Sequence, residues 1–304
     1  MFKSLERTRR LALIVAFLLG TVLVASSLSA EPKAPADLGI ELVAIRAGTF
    51  LMGSPAGEPW RNADPVTGEG PQTKVTISKP FWLAKTETTR AQYEALMGKT
   101  DDPWSKKTAE EWTKQGADFG KFPAVNVTWD QARDFCKKLT ERERAAGRLP
   151  AGLAYARPTE AQWEYACRAG TTTRNYAADS DDALPDIAWY VKTTGPFNRG
   201  TMPRIQPVGG KKPNAWGLHD MLGNAREWVL DYIGPYPGGD ATDPRGPKEP
   251  VKSNMAFRVQ RGGAWIDAKS KLRSAARGWS DPAFGSQKGF QEGTVGFRVA
   301  VVAE

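Results

Sequence analysis

The chain has one histidine, His219, and two cysteines, Cys136 and Cys167. A histidine-rich zinc site, a two-histidine carboxylate iron site and a Ser-His-Asp triad with imidazoles to spare are all hard to build from that set. Two stretches hold most of the remaining chemistry. Residues 217–228 (GLHDMLGNAREW) set Asp220, Asn224 and Glu227 among small residues. Calcium takes roughly six to eight oxygens, mixing carboxylates with backbone carbonyls. Asp220 and Glu227, with the carbonyls of Gly223 and Ala225, can supply part of such a shell; the plainer reading is that they cap and turn the chain. The second stretch carries Asp267, Lys269, Lys271, Arg273 and Arg277. A carboxylate beside lysines can do acid–base work, and the cations can hold an anionic or polar ligand. A charge run of this kind is also what a solvated face looks like.

The elements that must position these groups are unevenly legible. Residues 41–52 (ELVAIRAGTFLM) and 74–84 (KVTISKPFWLA) read as strands, separated by a Pro-, Gly- and acid-rich loop. Residues 88–97 suit a short helix stopped by Gly98. Residues 99–121 are polar and read as a loop with a helical turn. Thr128 with Gln131 and Thr159 with Gln162 are capping-box patterns, each opening a helix. Ala132, Phe135, Cys136 and Leu139 share one face of the first, which Gly147 stops. Trp163, Ala166 and Cys167 make the inward face of the second, which ends at Gly170. Both cysteines thus fall on buried faces, which favours two buried thiols over a disulfide. A reactive thiol normally sits in an accessible, electropositive place. Beyond residue 171 periodicity fades and short strands remain, such as 257–261 and 296–302. With 11 tryptophans in the chain, buried indoles, hydrogen-bonded loops and bound cations are the devices that would hold such a region.

Lys3, Arg7, Arg9 and Arg10 precede an apolar run over residues 11–25 and then small residues, the order of a secretory signal peptide. The run is shorter than the roughly 20 apolar residues of a spanning helix; the alternative is an uncleaved membrane anchor, since the cleavage site is imperfect. Cleavage after Ser27 or Ser29 suits the small-residue rule better than cleavage after Ala30. The organisation expected is a signal peptide over 1–30, a short linker over 31–40 and one domain over 41–304. The mature chain is then exported to the periplasm or beyond, with no membrane association. Losing four basic residues and Glu6 lowers the net charge from +8 to +5. That excess is spread along the chain without a basic, aromatic-interleaved patch, so nucleic acid is not an expected partner.

Several segments together resemble the formylglycine-generating-enzyme, or sulfatase-modifying-factor, family. They are FLMG (50–53), FWLAKTETTRAQY (81–93), PAVNVTWDQARDFC (123–136), ARPTEAQWEYACRAG (156–170), PNAWGLHDMLGNAREW (213–228), RVQRGGAW (258–265), RSAAR (273–277) and GFR (296–298). Each is weak alone; their order is specific. The resemblance implies a C-type-lectin-like α+β fold with little regular structure. It implies structural calcium at Asp220, Gly223, Ala225 and Glu227. It places a second calcium at Asp186 and Ile187, with further ligands around Asn198.

The family's oxidases hold Cu(I) between two cysteine thiolates, ligands suited to that soft ion. Here Asp267 stands at the first cysteine position and the second has no cysteine. Ala264 replaces a hydroxyl residue, and Arg226 stands where the family usually has Trp. Copper is therefore not expected. Iron-dependent sulfoxide synthases of the family take histidines from an extra helical domain, which this chain lacks. The resemblance further implies that Arg277 and Arg298 hold loop carbonyls or carboxylates, while His219 packs or hydrogen-bonds. The function expected is an exported binding or accessory module, acting on an exported protein or a small polar ligand. The alternative is a divergent enzyme using a pocket of Asp267, Arg226, Lys269 and Arg277.

Overall fold

The computed structural model describes residues 38–98, 110, 113–114, 116, 118–195, 205–251, 256–284 and 293–304. The expected signal peptide lies outside the described residues, as do Asn198 and most of 99–117. Residues 32–304 form one compact unit. Among the described residues no helix is long and apolar enough to cross a membrane.

The described residues form three small sheets. One has the order β1-β4-β11-β5, made of Leu42–Ile45, Phe81–Ala84, Ala300–Ala303 and Leu153–Ala156. A second has the order β10-β6-β8-β9, made of Val295–Gly296, Arg226–Tyr232, Arg258–Arg261 and Arg277–Ser280. The third pairs β2 (Gly48–Met52) with β3 (Thr73–Ile77), and β3 with β7 (Gly239–Thr242). Each of the two N-terminal strands read from the sequence is thus two strands in different sheets. Arg46 and Ala47 break the first, and the second breaks at residues 78–80, where Pro80 has no N–H to donate to a ladder.

The helices follow their caps. α1 (Arg90–Met97), α2 (Trp129–Ala145) and α3 (Glu160–Arg168) each open on a complete capping box, at Thr89, Thr128 and Thr159. The first begins two residues later than the pattern suggests, because Thr88 and Thr89 stay extended and Thr89 forms the bridge to Pro123. α3 ends on Ala169, left-handed at φ 46°, one residue before Gly170. Two one-turn helices follow, α4 (Leu184–Ile187) and α5 (Val191–Thr194).

Apolar burial is split among three clusters. Trp163 and Cys167 lie in one, Phe135, Cys136, Trp228 and Phe297 in another, and Trp265 with Phe122 and Ala264 in a third. The buried indoles also tie down irregular chain. Trp228 Nε1 donates to the Val127 carbonyl at 2.7 Å, Trp129 Nε1 to Val229 at 2.8 Å and Trp265 Nε1 to Gly293 at 3.0 Å. An indole buried this way contributes apolar area and satisfies a backbone carbonyl at once. Ile40 is buried in the second cluster, and Gln92 Nε2 donates to the Gly39 carbonyl at 3.0 Å.

Arginines do the same for loops distant in sequence. Arg261 reaches Glu164 at 2.6 Å and the carbonyls of Ser274, Ala275 and Ala276. Arg273 grips Glu69 and Glu58 and the Trp60 carbonyl. Arg277 pairs with Glu160 and holds the carbonyls of Gly68 and Gly234. A buried guanidinium is tolerable because its planar fork finds a carboxylate and carbonyls together.

Candidate functional site

The 217–228 segment makes a tight turn before β6. Asp220, Gly223 and Asn224 all take positive φ, at 54°, 83° and 58°. Only glycine fits at 223, since a Cβ there would lie 2.2 Å from the Trp189 carbonyl oxygen. The turn aims Asp220 inward. Its Oδ2 accepts the Gly209 amide at 2.6 Å, while Oδ1 is buried without a partner among the described residues. Beside it lies Glu87, wholly buried, accepting from Ala225 N at 3.0 Å and Asn224 Nδ2 at 3.1 Å. Glu87 carries no signal of its own in the sequence. Its TET context marks a helix start, and nothing local shows that the side chain turns toward residues 138 positions away.

Glu227 behaves differently. It lies in β6, a strand the sequence reading did not foresee, and both its oxygens are engaged. Arg298 donates to them at 2.6 and 2.7 Å, and Trp163 Nε1 donates at 2.8 Å. Burial first, then the neighbouring carboxylates, pushes Glu87 well above the usual carboxylate range. Burial also raises Asp220. Of these three buried carboxylates only Glu227 is hydrogen-bonded to Arg298, and among the described residues no group of three or more acidic, histidine or cysteine side chains is arranged to hold a metal ion. The orphaned Asp220 oxygen fits a calcium ion; Glu227, as long as it grips Arg298, does not. His219 completes the wall through Nδ1, 2.8 Å from the Lys211 carbonyl.

At the second expected cation position the oxygens are already engaged. Asp186 is exposed and paired with Lys212 Nζ at 2.8 Å, and the Ile187 carbonyl accepts from Tyr176 Oη at 3.0 Å.

The 267–277 stretch separates into distinct roles. Asp267 receives two bonds from Arg226, at 2.6 and 3.0 Å, and one from the Ala264 amide at 2.8 Å. It therefore fastens the turn after the double glycine to the start of β6. A cavity of about 380 Å³ opens beside this pair. Arg226, Asp267, Lys271 and Arg277 all line it, with Gln260 and Trp279. Lys269 and Arg273 turn elsewhere. Lys269 pairs with Asp181 at 2.8 Å and lies over the Trp60 ring; Arg273 is the buried clamp described above. Arg277 lines the cavity with its bonds already committed to Glu160 and loop carbonyls. Gln260 Nε2 is buried with no partner among the described residues, and Trp279 is 42% exposed.

The two cysteines are free and buried. Burial pushes each thiol up to about 12. They sit in different core clusters, and neither lines the cavity.

Small sheets, long loops fastened by buried arginines and indoles, and a polar cavity at the turn after a double glycine define a C-type-lectin-like domain of the sulfatase-modifying type. The chain belongs to the family of the sulfatase-modifying factor enzyme 1-like domain, whose model matches residues 28–303. It is similar to the formylglycine-generating enzyme of Streptomyces coelicolor, 28% identical over 85% of this chain and 88% of that one. It is also similar to the serine/threonine-protein kinase pkn1 of Chlamydia pneumoniae, 27% identical over 89% of this chain. It spans 39% of that kinase's length. Among solved structures, Treponema denticola variable protein 1 superposes with a TM-score of 0.66 at 24% identity, covering 85% of this chain and 94% of that one. PvdO from Pseudomonas aeruginosa gives 0.64 at 22%, covering 89% and 98%. These two likenesses show the fold.

Proposed function

We propose that this protein is an exported binding or accessory member of its family, without copper-dependent cysteine oxidase activity. The observation that carries this is the Arg226–Asp267 pair. At the position of the family's first copper thiolate, a carboxylate is bonded on both oxygens to a guanidinium that replaces the usual Trp. Soft Cu(I) needs thiolates, and the chain's two thiols are buried in the core. Asp267 is equally ill placed as a general base, because both its oxygens already accept bonds.

What the cavity offers instead is recognition. Lys271 supplies an ammonium, Trp279 an exposed ring and Gln260 an unspent amide. These suit a small polar ligand or an exposed segment of another exported protein. Arg226 and Asp267 act as the rigid floor. The N-terminal layout of basic, apolar and small residues supports export. The Asp220 corner, with Glu87 beside it, supports one structural calcium ion there; the competition from Lys212 and Tyr176 weakens the case for a second at Asp186.

The direct test incubates the purified chain with Cu(I), oxygen, a reductant and a sulfatase-motif peptide. Mass spectrometry should find no aldehyde while a cysteine-paired relative run alongside makes it. Turnover by this chain would overturn the proposal. For calcium, removal by a chelator should lower the melting temperature and added Ca²⁺ should restore it; an unchanged melt would remove the ion from the account.

A further inference from the structure

A second cavity, of about 400 Å³, shares no lining residue with the first. It lies among the ends of β3, β4, β5, β6 and β11, and Arg157 contributes to its wall. Arg157 is 4% exposed, yet no carboxylate pairs with it among the described residues. Its Nη1 donates to the Trp129 carbonyl at 2.5 Å, its guanidinium lies 3.8 Å from the Trp129 ring centroid, and its Nε is buried without a partner. A ring face and one carbonyl recover part of the cost of burying a charge, but less than a carboxylate would. Among the described residues the five other buried arginines, Arg168, Arg261, Arg273, Arg277 and Arg298, at 0% to 6% exposure, all have carboxylate partners. Burial lowers the Arg157 guanidinium to about 10, the direction a bound anion would reverse.

Two further cations line the same cavity, Lys79 and Arg245, both exposed and neither paired with a carboxylate among the described residues. Two carboxylate side chains, Asp243 and Glu304, also line it against the three cations. Asp243 accepts from the Ser78 amide and hydroxyl, and Glu304 pairs with Arg144 at 2.5 Å. The rest of the wall is largely apolar, with Ile77, Phe81, Leu230 and Val302. We propose that this cavity is a second binding site, for a small organic carboxylate whose charged end meets Arg157 between Lys79 and Arg245 and whose apolar body lies against Phe81 and Leu230. With Nη1 committed to the Trp129 carbonyl, Arg157 can offer Nη2 in a charge-assisted bond to the carboxylate, and the apolar wall gives the body of the ligand a reason to leave water.

The test is calorimetric titration of the purified chain with hexanoate, hexan-1-ol and inorganic phosphate. Hexanoate should bind saturably at one site and weaken as salt rises; hexan-1-ol and phosphate should each bind at least tenfold more weakly. Lys79→Glu with Arg245→Glu, both at exposed positions, should weaken hexanoate at least fivefold without moving the melting temperature. Arg157→Lys keeps the charge, loses the guanidinium and should weaken it further. Absence of saturable hexanoate binding would overturn the site. Equal binding of hexan-1-ol would overturn the role of charge, and equal binding of phosphate the role of the apolar wall. Undiminished affinity in the Lys79/Arg245 double variant would place the ligand elsewhere, and that variant is informative even where Arg157→Lys fails to fold.

Discussion

Asp231 lies inside the molecule, where its Oδ2 accepts the backbone amide of Glu160, the first residue of α3, at 2.7 Å. Burial, then the charge of Glu160, raises its pKa from 3.8 to about 7. The folded state therefore holds a proton that the unfolded chain releases near its ordinary value. Stability from that proton is full below the unfolded pKa and is lost as pH rises through about 7. Asp231→Asn keeps an acceptor for the amide and removes the titration. Melting curves from pH 4 to 9 should show the wild type falling relative to Asp231→Asn up to about pH 7, then running parallel to it. Curves parallel throughout would show that Asp231 is ionised in the folded state at all these values. Asp267 has both oxygens bonded, whereas Asp220 Oδ1 has no partner among the described residues. Both are acids beside basic residues in the sequence, and only their bonds tell them apart.

At the scale of the element, α3 joins much of the molecule. Its cap is local, with Thr159 Oγ1 accepting the Gln162 amide at 3.1 Å and Gln162 Oε1 accepting the Thr159 amide at 2.9 Å. Its faces are not. Glu160 meets Arg277, Glu164 meets Arg261, and Trp163 meets Glu227. Thr159→Ala should cost about 1 kcal/mol in urea unfolding, the ordinary worth of an N-cap. A loss several times larger would mean that the cap also sets the angle at which α3 delivers Glu160 and Glu164 to their arginines. The capping boxes were legible because they need residues three apart. β6 was not legible as a strand: its inward residues Glu227 and Val229 alternate with half-exposed Arg226 and Leu230, but Trp228 between them is buried too.

For the whole molecule, the separation of the apolar interior into clusters has a simple chemical consequence. Cys136 and Cys167 lie in different clusters and are fully enclosed. An aromatic disulfide reagent should find no reactive thiol in the native chain and two in denaturant, with no reductant needed. Two thiols missing after denaturation would instead reveal a bond. The clusters are held together by long-range ion pairs, notably Arg298 to Glu227 and Arg273 to Glu69. Removing one partner of such a buried pair typically costs about 3–5 kcal/mol, so this fold depends on a few contacts between distant segments.

The sequence by itself determined the family through the order of its motifs, two of the helix starts through their capping boxes, and the burial of both cysteines through helical periodicity. These are local properties or matters of residue identity, and composition and spacing carry them in full. Tertiary structure alone decided which acids are free. It turned Glu87 toward Asp220, bound Glu227 to Arg298, engaged Asp186 with Lys212, and sent Lys269 and Arg273 away from the cavity that Arg226, Asp267, Lys271 and Arg277 line. It also left Arg157 buried without a carboxylate partner among the described residues. The reason is physical: a charged side chain is ionised, paired or available according to its desolvation and its nearest opposite charge. In this fold that charge is regularly supplied by a segment far away in the chain.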